Sequence, residues 1–146
     1  MSLQTDTIFV LALQDNASLI SRLPAGDVYN TSIALPDEDL PNAPLPYIVV
    51  SFDGLANDVT TKDTYEGETD SVTVSITIAA RNRSELAELA EMVRATVRSF
   101  FEQAEEDADY FLLVPLDYSF SAGAVQYDPQ KPSFWQQLTW VCDTNI

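Results

Sequence analysis

Residues 71–106 read SVTVSITIAARNRSELAELAEMVRATVRSFFEQAEE, and the spacing of the apolar residues changes once within this stretch. Val72, Val74, Ile76 and Ile78 alternate with Thr73, Ser75, Thr77 and Ala79, the two-residue period of a strand with one covered face. From Ser84 to roughly Glu106, the residues Leu86, Leu89, Ala90, Val93, Val97, Phe100, Phe101 and Ala104 recur instead at helical spacing. This predicts a long helix with Leu86, Leu89, Val93, Val97 and Phe100 packed on a sheet and with Arg94, Arg98 and Glu102 facing outward. Ser84 can cap its N-terminus, and Asn82 followed by Glu85 offers an alternative capping box. Glu85 and Glu88 also suit the positive end of the helix dipole.

Working toward the N-terminus, Asn57 to Asp70 is polar and acidic with Lys62 its only cation, and it reads as a hairpin tip too long for a tight turn. Before it, Tyr47 to Phe52 is a nearly continuous β-branched and aromatic run, expected to be a buried strand pairing antiparallel with the 72–79 strand. Gly54 breaks or bulges that strand. Pro36, Pro41, Pro44 and Pro46, set among Asp37, Glu38, Asp39 and Asn42, forbid a helix or a central strand between Leu35 and Pro46. Gly26 to Thr31 gives a short extended segment around Val28 and Tyr29. Ile8, Leu11, Ala12, Leu19, Ile20 and Leu23 follow near-helical spacing interrupted by Gln14, Asp15 and Asn16. The first helix should therefore break and restart, with Asn16 capping the second piece and Pro24 with Gly26 ending it.

Beyond the long helix, Phe111 to Ser121 and Phe134 to Cys142 are extended runs separated by Gly123, Asp128, Pro129 and Pro132, and these should pair as a second hairpin. The expected fold is α+β, a single domain over residues 1–146: a mainly antiparallel sheet of about four to five strands with two helices on one face. No internal repeat and no low-complexity tract is found.

Composition narrows the function. The chain has 146 residues, enough for one core, and 23 Asp and Glu against 7 Lys and Arg give a net charge of −16 with no histidine. Few and dispersed cations argue against a generic grip on nucleic acid or on anionic membranes. Such acidity reads either as solubility or as a surface that repels or imitates DNA. Cys142 is the lone cysteine, so no internal disulfide can form, and it reads as a small apolar residue near a strand end. No apolar run approaches the roughly 18 residues that span a bilayer, and no basic N-terminal region precedes residue 6, so folding in a cytoplasm is expected.

The usual catalytic chemistry finds no footing. Without histidine, Ser-His-Asp and Cys-His nucleophile systems cannot be built. Asp37, Glu38 and Asp39, and Glu105, Glu106, Asp107 and Asp109, lack the spaced ligands and turn glycine of a calcium loop and read as solvated surface. Gly26, Gly54, Gly67 and Gly123 form no phosphate-cradling loop. No metal or cofactor is expected. Phe134, Trp135 and Trp140 could stack on bases or on a ligand, but alternating positions on a strand usually fall one on each face, which favours core or subunit contact.

The order of elements, together with the broken helix around Asp15-Asn16-Ala17-Ser18-Leu19, the Val28-Tyr29 segment, the Pro46-Tyr47-Ile48-Val49-Val50 entry and the Val72 to Ala80 strand running through Arg81-Asn82 into the long helix, resembles the tail-completion proteins of tailed bacteriophages. These are also called tail-to-head joining or tail-terminator proteins. The resemblance covers most of the chain and rests on packing and turn signatures. It implies a structural virion or prophage-encoded protein without enzyme activity, forming a homo-oligomeric ring, usually of six subunits, that caps the finished tail. Its partners would be itself, the tail tube protein and the head connector, with DNA passing through the middle. It would be found in the host cytoplasm during assembly and then in the neck or tail of the virion. The acidic loop, with Asp58, Asp63, Glu66, Glu68 and Asp70 facing solvent, is the expected partner contact. Two other readings stand beside this one: an acidic DNA mimic that inhibits a nucleic-acid-binding protein, and a small-molecule enzyme working through carboxylates.

Overall fold

The computed structural model describes residues 5–24, 26–30, 44–58, 69–106 and 117–145. The chain order is helix α1 (Thr5–Gln14), helix α2 (Ala17–Ile20), strand β1 (Tyr29–Asn30), β2 (Tyr47–Asp58), β3 (Thr69–Ala80), helix α3 (Arg83–Glu106), β4 (Asp117–Ala122), β5 (Gln126–Asp128) and β6 (Ser133–Asn145). The fold is α+β, as the periodicities require. Its sheet is larger than the expected four to five strands, with six among the described residues in the order β1-β2-β3-β6-β4 and with β5 also on β6.

The first helix breaks where the sequence places polar residues. Asn16 adopts extended backbone angles and accepts the Leu19 amide on its side chain, opening α2 as a single turn. Gly26, at a positive φ of 68°, then donates to the Leu23 carbonyl at 2.9 Å and turns the chain away. The following segment is a two-residue strand that pairs parallel with β2, which makes the sheet mixed.

β2 and β3 pair antiparallel along their whole length, with one irregularity. Phe52 faces Val74 and Gly54 faces Thr73, leaving Asp53 as the extra residue of a β-bulge. Gly54 sits at φ 151°, a region few other residues adopt. The bulge resets the alternation, so that Phe52 and Leu55, three positions apart, both pack against the core. The strand therefore continues past Gly54 to Asp58 instead of ending near Phe52.

Asn82 is the residue that caps α3. Its Oδ1 accepts the Glu85 amide at 2.8 Å, while Glu85 Oε1 accepts the Arg81 amide at 3.1 Å. Ser84 lies inside the helix. Glu85 Oε2 also accepts from the Arg81 guanidinium at 3.0 Å, and this hydrogen bond holds the Glu85 carboxyl below the usual carboxylate range.

α1 packs on β2 while α3 lies across β3 and β6, so both cover the same face of the sheet. Leu86, Leu89, Val93, Val97 and Phe101 of α3 are buried against Val72, Val74, Ile76, Ile78, Leu138 and Trp140. Phe101, not Phe100, completes the buried stripe: Phe101 keeps 3% of its exposure, and Phe100 is half-buried beside the core. Phe9 of α1 joins the layers, its ring 5.5 Å from Phe101 and 5.3 Å from Trp140.

β4 and β5 run consecutively along the same side of β6, separated by a short irregular stretch at Gly123, whose amide donates to the Gln137 carbonyl at 2.8 Å. The hairpin closes on the pair Asp128 and Ser133 around Pro129 and Pro132. Trp140 is buried on the helix-covered face, and Trp135 on the opposite face keeps 37% exposure, as their spacing along the strand demands. Residues 111–116 of the expected first run lie outside the described residues.

Candidate functional site

The acidic loop expected to contact partners is shorter than its sequence boundaries. Asp58 is the last residue of β2 and pairs with Thr69, and Asp70 belongs to β3, where it faces Asn57 on one side and Thr144 on the other. Hydrogen bonding to strands on both sides carries β3 through polar sequence that has no hydrophobic alternation of its own. Asp63, Glu66 and Glu68 lie outside the described residues, as do Asp37, Glu38, Asp39, Asp107 and Asp109. The expectation of a contact site thus reduces to the segment between Asp58 and Thr69, and Asp58 and Asp70 are strand positions that frame it.

Among the described residues, no group of three or more Cys, Asp or Glu side chains is placed to hold a metal ion. Cys142 is buried between the sheet and the helices, and loss of hydration, reinforced by the neighbouring Asp143, pushes its thiol up to about 12. A thiol so far from ionisation is not a nucleophile at neutral pH. Tyr47 is also pushed above its ordinary range by burial and by Asp128, and Lys131 Nζ lies 5.8 Å from its ring centroid. These three residues tie the start of β2 to the β5–β6 turn.

Among the described residues, depressions lie on two sides of α3. One, of about 490 Å³, lies between the α1–α2 break and α3, with Ala12, Ala17, Ala95 and Ser99 on its walls. Two of its polar side chains bond within the fold: Asn16 Nδ2 donates to Thr96 Oγ1 at 2.8 Å, and Thr96 Oγ1 donates to the Met92 carbonyl at 2.6 Å. The other, of about 340 Å³, is lined by Arg94, Arg98 and Glu102 of α3 together with Tyr118, Phe120 and Trp140. Here the Arg94 guanidinium carbon lies 4.5 Å from the Phe120 ring centroid, and Arg98 Nε donates to Glu102 at 3.2 Å.

The helical spacing places Arg94, Arg98 and Glu102 on the outer side of α3, and all three are exposed. That β4 lays Tyr118 and Phe120 beside them is a long-range consequence of β4 pairing with the far side of β6. Local sequence carries no signal for it. Of the other described cations, Arg22 pairs with Glu88 at 2.7 Å and Arg81 with Glu85 at 3.0 Å. Among the described residues, no helix is long and apolar enough to cross a membrane.

No protein-family model matches the chain. No curated protein matches it significantly either.

Proposed function

We propose that this chain is a structural subunit that assembles head to tail into a ring, capping a finished phage tail and joining it to the head connector. The observation that carries the reading is the element order: a broken first helix, a short strand at Tyr29, β2 entered through Pro46 and Tyr47, and a long helix following β3 directly. Each of these elements has its counterpart in the tail-completion pattern. Among the described residues the sheet ends in two unlike edges, the two-residue β1 on one side and the β4–β5 side on the other. Heterologous contacts that close into rings need two different surfaces on each subunit, and unlike edges supply them. The net charge of −16 suits a channel through which DNA slides without sticking. No catalytic role is proposed: Cys142 is buried with its thiol pushed up to about 12, and Asn16 and Thr96 in the pocket beside α1 are bonded to each other.

The DNA-mimic alternative requires one long continuous acidic face. The exposed side of α3 instead interleaves Arg83, Arg94 and Arg98 with Glu91 and Glu102. Negative-stain electron microscopy of the concentrated protein, alone and mixed with phage tails, tests the proposal. Annular particles or capped tail ends are expected. Featureless particles of single-subunit size in both samples would overturn it.

A further inference from the structure

The groove between α3 and β4 has a use of its own, and it rests on the ring-subunit reading. We propose that it receives a second copy of this chain, whose carboxylates meet Arg94 and Arg98. Copies carrying −16 each repel one another, so a stable contact between them needs a place where the local charge is reversed. Arg94, which lies over the Phe120 ring, and Arg98, which pairs with the exposed Glu102, give the groove two cations against one carboxylate among its described lining.

The surroundings suit a protein contact. Tyr118 keeps 37% exposure, and Phe120 packs 4.9 Å from Trp140. Aromatic rings beside arginines are the residue types that dominate interface energetics. The partner is a second copy because each copy carries −16 and so presents carboxylates to an arginine pair, and a head-to-tail ring requires such a heterologous contact.

The test is sedimentation velocity on the full chain across a concentration series. Arg94→Glu with Arg98→Glu is compared with a control, Arg83→Glu with Lys131→Glu, that changes net charge equally but lies away from the groove. The groove pair is expected to weaken self-association by about tenfold or more while the control behaves as wild type. Arg83, Arg94 and Arg98 are exposed, so their reversal should leave circular dichroism and Tm near wild type, while Lys131 is half-buried beside the Tyr47 ring and the control's Tm is read alongside. If charge reversal lowers Tm, Arg94→Gln with Arg98→Gln takes its place and should weaken association in the same direction. Association that survives the groove substitutions, or that the control weakens as much, overturns the groove assignment and leaves the ring reading standing. A wild-type chain that never associates overturns both.

Discussion

Asn16 Nδ2 donates to Thr96 Oγ1 at 2.8 Å, while Asn16 Oδ1 accepts the Leu19 amide at 3.2 Å, so one side chain both starts α2 and ties it to α3. Replacing Asn16 with Ala removes the cap and the link together and should cost about 1 to 3 kcal/mol in urea unfolding. Asn16→Asp keeps the cap acceptor and loses the donor, so its loss should be smaller. Equal losses for the two variants would mean that the cap contributes nothing.

Phe101 sits between Phe9 and Tyr118, with ring centroids 5.5 Å and 5.2 Å away. Phe101→Ala should cost on the order of 3 to 5 kcal/mol, and Phe100→Ala clearly less because its side chain is only half-buried. Paired thermal or denaturant melts decide between them. A larger loss at Phe100 would reverse the assigned face.

Much of this fold is legible in sequence because its local rules agree with one another. The alternation in β3, the stripe on α3, the break at Asn16 and the glycine at the β2 bulge each have a local physical signature. The choice between adjacent Phe100 and Phe101 does not, because both fall near the edge of the same helical stripe and only the position of Phe9 and β4 settles it. β1 is two residues long, too short for any periodicity, and β5 is identifiable only by its pairing with Trp135, Phe134 and Ser133. The arginine groove was the least legible feature, since Arg94 and Phe120 meet through sheet order alone.

Cys142 is buried with its thiol pushed up to about 12, so a disulfide-exchange reagent at pH 8 should leave it unlabelled in the native chain and react promptly in urea. The raised value also predicts a pH effect. The unfolded thiol ionises near 8.5, so this contribution to stability is complete below that pH and is lost as pH rises toward the folded value. Fast labelling of the native protein would contradict the burial.

Deleting Thr60 to Gly67 and closing the β2–β3 hairpin with Asn-Gly should leave Tm nearly unchanged, because Asp58 and Thr69 already pair at its end. Head-to-tail joining should fail in the shortened protein. A collapsed fold, or particles that join normally, would each refute the role given to this loop.

The central claim is that this chain functions as an assembled ring, and the measurement that bears on it most directly is the solution mass by light scattering over a wide concentration range. The account predicts growth from the 16.2 kDa chain to one discrete closed species that does not lengthen further on concentration. A single 16.2 kDa species at every concentration and on purified tails, or a two-fold dimer that stops there, would contradict it.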